Sequence, residues 1–154
     1  YPIRGIIKGD YLYIKNFAPG RWPAGNPETG YTNCDASPTK TVCLDARDSD
    51  ETFKHWKWNF GKRPDEELYN ISRDRQCMRN LAELKDYQTV KAELKEQLFG
   101  ELKEQGDPRM FGKGYVFDDY EVCWPQYRNF YERYMSGEEI PTPCIITSDI
   151  RKIK

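Results

Sequence analysis

A chain of 154 residues and 18.2 kDa is one domain's worth of sequence, enough to bury a single core of moderate size. Its 24 Lys and Arg against 25 Asp and Glu leave a net charge of −1, so no field draws a polyanion and nucleic acid is not an expected partner. A mean hydropathy of −0.91, with no apolar run approaching about 18 residues, excludes a membrane-spanning helix.

The chain opens Tyr1-Pro2-Ile3-Arg4, without a charged-then-apolar leader, and runs straight into strand-like sequence; a piece of a longer chain is expected. Residues 3–17 read as two strands split by the hairpin signal Gly9-Asp10. Alternation in the second run predicts Leu12 and Ile14 on the inward face, and Gly5 predicts a bulge in the first. Residues 18–36 lose all regularity, with three prolines, three glycines, Arg21, Trp22, Tyr31 and Asp35 among them. Ser37-Pro38 is a helix opening, and Val42, Cys43 and Ala46 mark its expected buried stripe. A second helix is expected over 50–60 from Phe53, Trp56, Lys57 and Phe60, ended by Gly61 and Pro64.

Glu67 to Ile71 predicts a short strand, followed by a polar turn to Leu81-Ala82. From about 86 to 105, Tyr87, Val90, Leu94, Leu98 and Leu102 repeat every three or four residues, the pattern of an amphipathic helix. Asp86 is its expected cap, and Gly106-Asp107-Pro108 its stop. Tyr127, Phe130, Tyr131 and Tyr134 predict a shorter helix between Pro125 and Gly137, and Cys144 to Thr147 a last strand. Together these predict one α+β domain over 1–154: a small antiparallel sheet packed against a long helix in the C-terminal half, with shorter helices, an irregular loop at 18–36 and an extension at 110–154.

Few residues form a chemical signature. Cys34, Cys43, Cys77, Cys123 and Cys144 stand far apart without a C-x-x-C, so a zinc cage is not expected. Reduced structural thiols are the first expectation, with a Cys34–Cys43 disulfide as the alternative. His55, the only histidine, reads as a surface or packed residue, because no nucleophile or orienting group is set beside it by any local pattern. Gly112-Lys113-Gly114 lacks the spacing of a phosphate loop, and Asn70-Ile71-Ser72 is a formal glycosylation triplet that carries no weight alone. The irregular loop is the exception. Aromatic faces and charged groups on a Pro/Gly-stiffened segment suit a sugar, while a loop pinned by its own aromatics remains the alternative.

The run Arg63-Pro64-Asp65-Glu66-Glu67-Leu68-Tyr69-Asn70-Ile71, with Asp74 and then Arg79-Asn80-Leu81-Ala82, resembles the closing segment of type I sulfatases. The helix ending Gly106-Asp107-Pro108-Arg109 fits the same family. The opening Tyr1-Pro2-Ile3-Arg4, Tyr11-Leu12-Tyr13-Ile14, Asn16-Phe17, Arg21-Trp22-Pro23 and Asp35-Ala36-Ser37-Pro38-Thr39-Lys40 is similar to the heparan N-sulfatase branch (N-sulfoglucosamine sulfohydrolase). Arg75 departs from the family's usual proline, and Cys77-Met78 from an expected acidic residue.

The resemblance implies a C-terminal subdomain that packs on the catalytic domain of the same polypeptide and helps close its substrate pocket. The parent would hydrolyse sulfate esters or sulfamates of sugars in a periplasmic, secreted or lysosomal setting. Its formylglycine and calcium would belong to that catalytic domain, so no catalytic or metal-binding residue is expected in this chain. Cys123-Trp124-Pro125-Gln126-Tyr127-Arg128 begins like the nucleophile motif C-x-P-x-R but sets its arginine one residue late. Beside a sulfated sugar, Arg21 would meet an anionic group, Lys40 would be a second cation, Trp22 a stacking face, and Asp35 an acceptor for hydroxyls. A free-standing carbohydrate-binding or structural interaction module is the alternative.

Overall fold

Two six-residue strands, β1 (Ile3–Lys8) and β2 (Tyr11–Asn16), close over Gly9-Asp10, where Gly9 takes a left-handed φ of 56°. β3 (Glu66–Asn70) pairs with the far side of β2, giving a three-stranded antiparallel sheet in the order β1-β2-β3. The computed structural model describes residues 1–121, 124–142 and 145–151. The β1–β2 register runs unbroken from Ile3↔Asn16 to Lys8↔Tyr11, so the expected bulge at Gly5 is absent. Glycine serves another purpose there: a Cβ would stand 3.1 Å from the Tyr13 carbonyl oxygen.

The inward face of β2 differs from the expectation. Tyr13, opposite Ile6 and Leu68, is fully buried, and it packs with Leu68, Leu81, Leu94, Leu98 and Leu102. Leu12 and Ile14 lie on the other face, opposite Ile7 and Gly5. The reason is that Tyr13 has two uses for burial. Its ring fills the core, and its hydroxyl donates to Glu66 Oε1 at 2.6 Å, so its polar end is satisfied. A period-two pattern ranks side chains by polarity and misses a tyrosine whose hydroxyl has a partner.

The long helix α3 (Gln88–Glu104) supplies Leu94, Leu98 and Leu102 to this core. Asp86 does not cap it. Residues Lys85–Tyr87 form a 3-10 turn ahead of the helix, and the Gln88 side-chain Nε2 donates back to the Ala82 and Leu84 carbonyls at 2.9 and 2.8 Å. The expected stop holds. Gly106 takes φ 72°, its N–H reaches the Lys103 carbonyl at 3.0 Å, and the Asp107 N–H reaches Leu102 at 2.8 Å. On the outer edge of β3, Asn80 stands in for a fourth strand. Its side chain accepts from Leu68 N–H at 2.9 Å and donates to the Glu66 carbonyl at 3.2 Å.

Helix α1 (Pro38–Asp45) begins where the Ser37 side chain accepts from Lys40 N–H at 3.1 Å, as expected of that cap. Its buried stripe is Lys40 and Leu44, not Val42, which is 69% exposed. Helix α2 (Phe53–Phe60) buries Trp56 and Phe60 against Leu44, Ala46 and Tyr31. The aromatic stretch near 130 is shorter than expected: Asn129, at φ 52°, separates a 3-10 turn at Pro125–Tyr127 from α4 (Phe130–Met135). Of the expected last strand, Cys144 lies outside the described residues, and Thr147–Asp149 is a 3-10 turn. Cys34, Cys43 and Cys77 carry free thiols, so the Cys34–Cys43 disulfide is not formed; Cys123 lies outside the described residues.

The fold is α+β, with the small antiparallel sheet against the long helix and shorter helices elsewhere. Contacts gather the chain into two compact units. One holds residues 2–18 and 64–121, with the sheet and α3; the other holds residue 1, 19–63 and the described residues beyond 121, with α1, α2 and α4. Among the described residues no helix is long and apolar enough to cross a membrane.

Candidate functional site

The irregular loop is built by its own backbone. The Asn26 carbonyl accepts from Thr29 N–H at 3.2 Å, from Tyr31 N–H at 3.0 Å and from the Thr29 hydroxyl at 3.0 Å, closing a 3-10 turn at Pro27–Thr29. Gly30 and Tyr31 then follow at φ 72° and 53°. A left-handed tyrosine costs on the order of 1 kcal/mol or more and persists only where its surroundings demand it. Here the demand is burial: the ring is fully enclosed, 4.8 Å from Phe60 and 6.3 Å from Trp22 between centroids. Burial also raises the Tyr31 hydroxyl above its ordinary pKa, against the opposing pull of the Trp56 indole N–H and the Arg47 charge.

Trp22 is half-buried at the rim of this cluster, edge-on to both Tyr31 and Trp56. Lys62 Nζ lies 5.0 Å from the Trp22 ring centroid, and the Arg47 guanidinium lies 5.0 Å from that of Trp56. Sequence reasoning singled out neither cation, since each meets its ring only through the fold. Arg21 and Asp35 are exposed on the same loop.

Lys40 is placed differently from the expectation. It is buried, and its ammonium donates to the carbonyls of Gly30 at 2.8 Å, Tyr31 at 3.4 Å and Cys34 at 2.7 Å, with Asp149 Oδ2 at 3.1 Å. Three N–H groups facing four oxygens leave nothing to offer a ligand. Lys40 therefore holds the loop's shape, and Lys62 is the cation that stands at the aromatic rim. His55 is exposed on α2 with its ring edge-on to Trp58 at 5.5 Å.

The other unit carries two ionic clusters. Glu66 accepts from Tyr13, from Lys95 at 2.8 Å, and lies 3.5 Å from Lys91. Burial alone would raise its carboxyl, but the hydrogen bonds of Lys95 and Tyr13 and the two ammonium charges outweigh it and hold the pKa down to about 2. Asp107 caps the turn at Pro108–Phe111 by accepting from Arg109 N–H at 2.9 Å, and it accepts from Arg4 Nε at 2.6 Å. Beyond β3, Asp74 accepts from Arg79 N–H at 2.8 Å, and Asn80 seals the β3 edge. Among the described residues no three of His, Cys, Asp and Glu gather where they could hold a metal ion.

No family model, no curated protein and no solved structure matches the chain.

Proposed function

We propose that this chain is the C-terminal subdomain of a sulfatase that hydrolyses sulfate esters or sulfamates of sugars. It supports the substrate pocket of a catalytic domain in the same polypeptide and is not catalytic alone. The observation that carries this reading is the loop rim, where half-buried Trp22 has Lys62 5.0 Å from its ring and exposed Arg21 beside it in the chain. An aromatic edge with two cations suits a ring that is apolar on one face and bears an anionic substituent. The motif from Arg63 to Ala82 supports the family assignment. Ile3 and Ile7, both exposed on the edge strand β1, supply apolar surface for the catalytic domain.

Formylglycine and calcium would supply the nucleophile and its activation in the catalytic domain. In the parent enzyme, Arg21→Ala should lower kcat/KM for the sugar substrate about ten- to a hundredfold, or roughly 1.4–2.7 kcal/mol of transition-state binding. A small aryl sulfate, too short to reach the loop, should be turned over nearly as before. Equal loss on both substrates, or none on the sugar, would remove the loop from the substrate pocket. Sulfated-oligosaccharide binding by this chain alone would favour a free-standing carbohydrate-binding module.

A further inference from the structure

The loop that carries Arg21, Trp22 and Asp35 is closed from outside by the far end of the chain. Arg151 N–H donates to the Pro27 carbonyl at 2.9 Å, and the Arg151 guanidinium reaches Asp45 at 2.5 Å. The chain between packs so closely that a Cβ on Gly30 would meet Ile145 Cδ1 at 2.9 Å and the Asp149 Cβ at 3.4 Å. At the centre lies the Lys40–Asp149 pair, at 3.1 Å and with both side chains almost wholly enclosed.

The chemistry of that pair explains why the two segments depend on each other. Three loop carbonyls solvate the Lys40 ammonium, but they are neutral, and a buried cation without a counter-charge is costly. Asp149 supplies the counter-charge. It also accepts from Ile146 N–H at 3.3 Å, which shapes the turn that presents it. Its other oxygen is buried without a hydrogen bond, so the pair is incompletely compensated and its closure is not a pure gain in stability.

We infer that residues 145–151 are a latch on the loop segment 26–34, with the buried Lys40–Asp149 pair as its catch. Closed, the latch holds Gly30 and Tyr31 in their left-handed conformations and so fixes the ring against which Trp22 stands. Opened, it frees the Gly30, Tyr31 and Cys34 carbonyls together. Its consequence for substrate rests on the sugar reading of the loop; the latch itself does not.

Hydrogen exchange on the protein and on Asp149→Asn and Lys40→Met tests it without any ligand. Both variants should speed exchange at the Thr29, Tyr31 and Cys34 amides by about tenfold or more, with the Leu94, Leu98 and Leu102 amides unchanged. Unchanged loop rates in both variants would overturn the latch. So would equal acceleration in the loop and in α3, since the pair would then hold the whole fold and not this loop. Because no sugar enters the measurement, the latch and the sugar reading fail separately.

Discussion

The Tyr13 hydroxyl donates to Glu66 Oε1 at 2.6 Å, joining the centre of the sheet to the lysines of α3 through one carboxylate. Tyr13 is buried whole; burial first, and then the bond to Glu66, raise the pKa of its hydroxyl, and the same bond helps lower that of Glu66. Ring packing against the leucine core and this contact together keep Tyr13 on the inner face of β2.

The first prediction follows from that carboxylate. Glu66 ordinarily titrates at 4.5 and here at about 2, so its ionised form is favoured by the folded state. Its contribution is complete above pH 4.5 and is lost as the pH falls from there towards about 2. Water reaching the partly exposed Lys95 screens the interaction, leaving on the order of 1–2 kcal/mol. Denaturant melts of the protein and of Glu66→Gln should therefore differ at pH 6 and converge as the pH falls to about 2. A constant gap over that range would contradict the assignment.

Core and surface should separate cleanly under truncation. Leu98→Ala removes a buried side chain from beneath the sheet and should cost about 2–5 kcal/mol. Val42→Ala, on the exposed side of α1, should stay within about 0.5 kcal/mol. Comparable losses at the two sites would mean that Val42 is covered in solution.

Ser37 is the helix N-cap that sequence and structure share. Ser37→Ala leaves the Lys40 N–H without its side-chain acceptor and should cost about 1 kcal/mol, while Ser37→Gly should cost only a few tenths. Equal melting temperatures for the Ala variant and the parent protein would show that water replaces the cap fully.

The chain by itself should turn over no aryl sulfate, with or without added calcium. Its only C-x-P run places arginine one residue late for the nucleophile motif. Turnover by purified protein that disappears in Cys123→Ala would reverse this expectation.

Substitution at the aromatic rim distinguishes Lys62 from Lys40. If the proposed sulfatase reading holds, Lys62→Met, at an exposed position, should weaken binding of a sulfated oligosaccharide to the full enzyme severalfold and leave the melting temperature nearly unchanged. Lys40→Met should lower the melting temperature first, because it strands Asp149 as a buried charge. The opposite pattern would return Lys40 to the substrate.

What the sequence by itself determined is whatever rests on neighbours in the chain. The Gly9-Asp10 turn, the Ser37 cap, the leucine stripe of α3 and its stop at Gly106 each depend on residues within a turn or two, and each lies where the pattern puts it. Only the tertiary structure decided the rest. Tyr13 is inside because a glutamate on the neighbouring strand accepts the hydrogen bond its hydroxyl donates. Lys40 is inside because three carbonyls and a distant aspartate solvate its charge better than the surface would leave it free to act. Polar side chains buried with partners look, in a sequence, like polar side chains in water; the partner is what reverses the sign of burial, and here it comes from another part of the fold.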